Sequence, residues 1–166
     1  MQFIIRPYAD PADRPAMIAL YRVAWHAAYD AIDGAVAIER LINSLLQGGA
    51  PEMFACPEGD VALVAVSDGA IVGGARAHPR DDGVHLSGMY VMPDRMSCGI
   101  GGALLANLFV RFPLAASWRA DVRPTSGAAL RFYARQGFRE AGHGRADVGS
   151  GHWVDMIELR RDGVGQ

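Results

Sequence analysis

The stretch Val91-Met92-Pro93-Asp94-Arg95-Met96-Ser97-Cys98-Gly99-Ile100-Gly101-Gly102-Ala103-Leu104-Leu105 decides how the rest of the chain is read. A β-prone run stops at Pro93, a glycine-rich turn follows, and an apolar helix opens. The first turn of a helix presents N–H groups that have no acceptor within the helix, and its dipole favours an anion there. Glycines at 99, 101 and 102 carry no Cβ, so backbone and phosphate can approach closely. The same segment also reads as a tight strand-to-helix turn that holds no ligand.

Outward from this turn the hydrophobic period alternates between extended and helical. Upstream, Val61–Val66 and Ile71–His78 are short β-prone runs joined by Ser67-Asp68-Gly69-Ala70, a hairpin signal. Pro79-Arg80-Asp81-Asp82-Gly83 is a second turn, leading into a strand Val84–Met92, so three antiparallel strands meander. Nearer the N-terminus, a strand Gln2–Pro7 precedes a helix that Asp10 or Asp13 can cap and that runs to about Tyr29, with Met17, Leu20, Tyr21, Ala24 and Ala28 at helical spacing. A second helix spans about Val36–Leu46 and ends at Gly48-Gly49. Downstream, a helix Gly99–Val110, a strand Ala115–Val122, a helix Ser126–Gln136, a strand from Phe138, the turn Gly149-Ser150-Gly151 and a strand Trp153–Leu159 complete the chain. The order β-α-α-β-β-β-α-β-α-β-β predicts a mixed α/β fold with helices on both faces of one sheet.

Composition narrows the function. A length of 166 residues, 51% of them apolar, fits one domain spanning 1–166 with a real core. Sixteen basic and eighteen acidic side chains nearly cancel and form no basic block, so no nucleic-acid or membrane partner is expected. The two cysteines, Cys56 and Cys98, form no metal-ligand pair and suit a reducing, cytoplasmic setting, so neither a metal nor a disulfide framework is expected. Met1–Arg6 lacks the basic-then-apolar pattern of a signal peptide, and no apolar run approaches the roughly 20 residues of a membrane span.

Two ligand readings fit the turn. A dinucleotide fold would use Gly99-x-Gly101 with Asp121 as the ribose ligand, yet its third glycine falls at Leu104 and the unit follows a meander. The other reading comes from resemblance. Met89-Tyr90-Val91-x-Pro93-(x)5-Gly99-Ile100-Gly101-(x)2-Leu104-Leu105 resembles the central motif of the GNAT superfamily, the acetyl-CoA-dependent N-acetyltransferases. Ser126-(x)2-Ala129-(x)2-Phe132-Tyr133-(x)3-Gly137-Phe138 resembles its second motif, and the element order is similar over essentially the whole chain.

The resemblance implies a GNAT-like fold and acetyl transfer from acetyl-CoA to an amine, small molecule or peptide, with a homodimer left open. It implies that Met96, Ser97, Cys98, Gly99, Ile100, Gly101 and Gly102 wrap the CoA pyrophosphate. It implies that Met89, Tyr90 and Val91 pair with the pantetheine through their backbone at a strand edge freed by splaying, for which Gly88 is placed to supply a bulge. Met96, Ser97, Cys98 and Ser126 depart from the polar or glycine residues usual at those places; Arg95 or Arg135 could return charge to the phosphates. Tyr133 resembles the tyrosine that protonates the departing sulfur, and a phenol of pKa about 10 stays protonated at neutral pH. His85 stands where some members carry a carboxylate base; it also reads as a packed or surface residue, with water alone as the base, as the resemblance allows. Period-two alternation would put it on one face with Ser87, Met89 and Val91. Trp25, His26, Tyr29, Asp30 and Asp33 are the candidates for receiving the amine; the same group could simply end a helix.

Overall fold

The computed structural model describes residues 2–48, 56–80, 83–148 and 151–163. These form seven strands and four α-helices: β1 (Ile4–Pro7), α1 (Arg14–Asp33), α2 (Ala35–Gly48), β2 (Val61–Ser67), β3 (Ala70–Arg80), β4 (Gly83–Val91), α3 (Ile100–Arg111), β5 (Ser117–Val122), α4 (Gly127–Arg135), β6 (Arg139–Asp147) and β7 (Trp153–Asp162). A 3-10 turn, Pro93–Arg95, lies between β4 and α3. The predicted order therefore holds, with α1 and α2 reaching further than their apolar periodicity. Gly49, Asp81, Asp82, Gly149 and Ser150, assigned to turns from sequence, lie outside the described residues.

One sheet runs in the order β1-β2-β3-β4-β5-β7-β6. Only β4 and β5 pair in parallel; every other pair is antiparallel. That single parallel join at the sheet centre is unlike the parallel array a dinucleotide fold needs. Helices cover both faces because alternate residues of each strand point to opposite sides. On one face Leu104, Leu105 and Leu108 of α3 and Tyr133 of α4 pack with Leu63, Ala75, Ala77, Leu86, Trp118 and Ala120. On the other, Met17 and Leu20 of α1 pack with Val64. Gly74 lets α1 lie close, since a Cβ there would stand 2.5 Å from Met17 Cε. No helix among the described residues is long and apolar enough to cross a membrane.

Two features of β4 set the site. Arg76 pairs with Gly88 and Ala77 with Leu86, so Ser87 is an extra residue bulged out of the ladder. The parallel ladder to β5 also stops there: Val84, His85 and Leu86 pair with Trp118, Arg119 and Ala120, and Ser87–Val91 have no β5 partner. The bulge predicted near Gly88 is present and coincides with the parting of the strands. A bulge adds local twist and releases one residue from pairing. Gly88 has a packing reason too, because a Cβ there would meet the Tyr21 hydroxyl at 2.9 Å.

At the start of α1, Asp13 is the capping residue, but its side chain does not cap the helix. Its carboxylate takes both guanidinium nitrogens of Arg6, at 2.6 and 2.8 Å, and the Ala9 N–H at 2.8 Å. The hydrogen bond from Arg6 is the first cause that holds the Asp13 carboxyl below its usual range. A carboxyl depressed in the folded state stabilises it above the unfolded pKa and loses that contribution as pH falls through the folded one. Asp13→Asn is therefore expected to cost about 1–2 kcal/mol at neutral pH. The difference from wild type should shrink in acid unfolding curves below about pH 4, where the unfolded carboxyl begins to protonate. A constant difference across pH would mean that the ion pair contributes nothing.

Candidate functional site

The parting of β4 from β5 leaves a cleft through the centre of the sheet, and the glycine turn stands at one end of it. Ile100 is buried and pins the first residue of α3 to the core, while Met96–Gly99 are exposed. Gly99 adopts φ +83°, with open space where a Cβ would stand. It precedes α3 with no side-chain cap, so the first-turn N–H groups face outward without an acceptor from a capping side chain. Ser97 also adopts a left-handed φ, of +63°, a conformation that suits glycine better than serine.

The three glycines of the turn do different jobs. A Cβ on Gly101 would meet the Phe132 ring at 3.2 Å, so the missing side chain at this residue lets α3 and α4 pack closely. Gly102 faces Gln136 Nε2. Gly99 alone combines left-handed backbone with open space.

Met89 and Val91 pack against the core beneath α3, and Tyr90 packs on the α1 side, 4.3 Å from the Tyr21 ring. Tyr133 is buried between Phe132 and Phe138, with ring centroids 5.2 and 5.1 Å away. Burial pushes its phenol well above the usual value, which keeps it protonated. Ser126 Oγ, just before α4, is buried and has no hydrogen-bond partner among the described residues. Arg135 is exposed in the last turn of α4, and Arg95 pairs with its neighbour Asp94 at 3.3 Å. The expected loop residues, strand edge and tyrosine thus gather on the α3–α4 side.

His85 does not share their face. The bulge at Ser87 breaks the two-residue period, so His85 points to the α1 side while Met89 and Val91 point to α3. There His85 belongs to a polar chain across four strands. Its Nε2 lies 3.0 Å from Asp121 Oδ2 of β5, and its Nδ1 lies 3.2 Å from His78 Nε2 of β3. Arg119 approaches Asp121 at 3.2 Å and Glu158 of β7 at 3.4 Å. The His85 hydrogen bond is the first cause that lowers the Asp121 carboxyl. Burial, with Arg80 and His85 nearby, lowers His78 to about 4. Asp121, the ribose ligand of the dinucleotide reading, is instead committed to this chain. His78 escaped sequence reading because only the β3–β4 register brings it beside His85; the hairpin-like meander was the available signal.

The acidic groups at the end of α1 are also committed. Asp33 makes a two-point pair with Arg123, at 2.6 and 3.1 Å, and the Arg123 guanidinium lies 4.5 Å from the centre of the Tyr29 ring. Asp30 meets His26 Nδ1 at 2.8 Å, and Glu39 of α2 meets His26 Nε2 at 2.9 Å as well as Arg22. These carboxylates hold α1, α2 and the end of β5 together; the helix-ending reading of the cluster is the one the geometry favours.

The parting of the two parallel strands and the helix N-terminus without a side-chain cap are the arrangement that the resemblance to the acetyltransferases predicted. A family model described as an acetyltransferase (GNAT) domain matches residues 58–140, half of the chain, and the protein belongs to that family. Solved structures agree in fold. The PaiA N-acetyltransferase from Thermoplasma acidophilum, in complex with coenzyme A, is 18% identical over 98% of this chain and 99% of that one, with a TM-score of 0.75. A GCN5-related N-acetyltransferase from Rhodopseudomonas palustris is 21% identical over 98% of this chain and 96% of that one, with a TM-score of 0.77. A ribosomal-protein-alanine N-acetyltransferase from Brucella melitensis is 27% identical over 96% of this chain and 99% of that one, with a TM-score of 0.66. No curated protein matches the sequence.

The left-handed Ser97 is testable directly. An L side chain in that conformation costs about 1–2 kcal/mol, part of which glycine returns as unfolded-state entropy. Ser97→Gly is expected to raise the melting temperature by about 2–4 °C. A variant less stable than wild type would show that residue 97 is not left-handed in solution.

Proposed function

We propose that the protein transfers the acetyl group of acetyl-CoA directly to a primary amine, with Tyr133 as the acid and His85 as the base. The observation that carries this reading is the freed edge Ser87–Val91, leading from the bulge to the uncapped N-terminus of α3. Backbone groups on that edge can take a pantetheine as an added strand. The N–H groups of the turn Met96–Gly102 can take a pyrophosphate whatever side chains the turn carries. The unpartnered Ser126 Oγ offers one further hydrogen bond on the same side.

The reaction needs a neutral amine, a stabilised oxyanion and a protonated leaving group. Tyr133 lies among the side chains that face the α3 side of the freed edge. Burial raises the phenol pKa, so the acid holds its proton until the sulfur departs. His85 lies on the other side of the sheet, where an amine can approach with α3 and α4 out of its way. A proton would then be taken on one face of the sheet and returned on the other.

Acetyl-CoA at about 100 times its dissociation constant should stabilise the fold by about 2.7 kcal/mol, seen as a melting shift that NAD does not produce. Tyr133→Phe should keep that shift and lower turnover by about 10²–10⁴-fold, measured as thiol release from acetyl-CoA with an amine panel. Undiminished turnover in that variant removes Tyr133 from the chemistry. A wild type that binds CoA but releases no thiol with any amine would make the protein a binding module instead.

A further inference from the structure

The chain His78–His85–Asp121 fixes where a proton can enter the base. Asp121 is ionised and can only accept, so His85 Nε2, 3.0 Å away, carries the hydrogen of that bond. The lone pair of a neutral His85 is then on Nδ1, and Nδ1 faces His78 Nε2 at 3.2 Å. In the neutral pair His78 therefore donates its Nε2–H to His85. A proton bound for His85 cannot land there directly.

We propose that His78 is the entry point of the base: a proton arrives at His78 Nδ1, the Nε2 proton of His78 passes to His85 Nδ1, and the positive charge comes to rest on His85. The step rests on the reading of His85 as base. One proton enters, one crosses between the rings, and His78 ends neutral as its other tautomer. Asp121 keeps its charge throughout, and no other reactant is needed.

The surroundings of the two rings favour this resting place. His78 is 8% exposed and has Arg80 and Arg76 near it, with Asp60 the carboxylate among the described residues that favours a charge. Its pKa of about 4 reflects that burial first, so it conducts a proton without storing one. His85 has the Asp121 carboxylate in contact, and Arg119 is shared between Asp121 and Glu158. The same face holds a small space nearby. A cavity of about 30 Å³ lies over Ala62, Arg76 and Gly88 beneath Tyr8, Met17 and Tyr21. That is enough for a water. Arg76 and Gly88 in its lining form the neighbouring same-face row to His78 and His85 along β3 and β4.

The test compares wild type, His85→Ala, His78→Phe, His78→Gln and the double variant His78→Phe/His85→Ala by thiol release across pH, with the CoA melting shift as the binding control. Each single variant should lose about 10²–10⁴-fold in kcat with the CoA shift intact, and the double variant should be no slower than either. His78→Gln keeps a donor for His85 Nδ1 but cannot pass a proton on, so it should be slow as well. A His78→Gln variant with wild-type rate and pH profile, beside a slow His85→Ala, overturns the relay and leaves His85 as base. Losses that multiply in the double variant also overturn it. A His85→Ala variant as fast as wild type removes base and relay together, and a wild type that transfers to no amine removes the transferase reading itself.

Discussion

The arrangement of the whole molecule depends on one interrupted hydrogen-bond ladder. β4 and β5 are the only parallel neighbours in the sheet, and they stay paired for Val84–Leu86 alone. Beyond that point an exposed strand edge would be a liability, open to pairing with any extended chain. Here it is sheltered, because α3 and α4 stand over one face and α1 over the other. The extra residue at Ser87 makes the parting abrupt by adding twist where the β3–β4 register slips. A sheet without that slip would continue the β4–β5 ladder and close the cleft.

Side chains take over where the backbone ladder stops. His85 and Asp121 bridge β4 and β5 at the last paired rungs, and the Arg123–Asp33 pair ties the end of β5 to the end of α1. Both links give a carboxylate a hydrogen bond in a partly buried setting, where a bond to a charged group contributes about 1.5–3 kcal/mol. They fix β5 against β4 at the last paired rungs and against the end of α1. The same logic explains why Asp30, Asp33 and Glu39 are poor candidates for capturing an amine. Each is already bonded to a basic side chain, and breaking one of those pairs would cost more than an exposed ammonium returns.

Much of this was legible in the sequence, and what was missed shares a physical cause. Helices and strands emerged because their periods of 3.6 and 2 persist over whole elements, as in Met17–Ala28 and Val61–Val66. The glycine turn could be read because its chemistry is local, from Pro93 to the apolar start of α3. Pairings between distant residues could not. A bulge shifts phase by one residue, so placing His85 with Met89 and Val91 failed at Ser87, although Gly88 had marked the spot. Likewise Gly101 looks from sequence like a phosphate contact. Only the packing of α4 against α3 shows that its missing Cβ makes room for Phe132.

The two faces of the sheet divide the chemistry by charge. The α3–α4 side offers main-chain N–H groups and a protonated phenol, donors suited to anions such as a pyrophosphate, an oxyanion or a thiolate. The α1 side offers imidazoles and a carboxylate, acceptors suited to the protons of an amine. Tyr133 faces the α3 side and His85 the α1 side, and the paired backbone at Val84–Leu86 lies between the two faces. A group transfer that must lose a proton from its nucleophile and return one to its leaving group can use both faces, with acceptors on one and a protonated donor on the other. In the proposed reaction the interrupted ladder therefore does more than open space for a ligand: it sets the proposed acid, Tyr133, and the proposed base, His85, on opposite faces of one sheet.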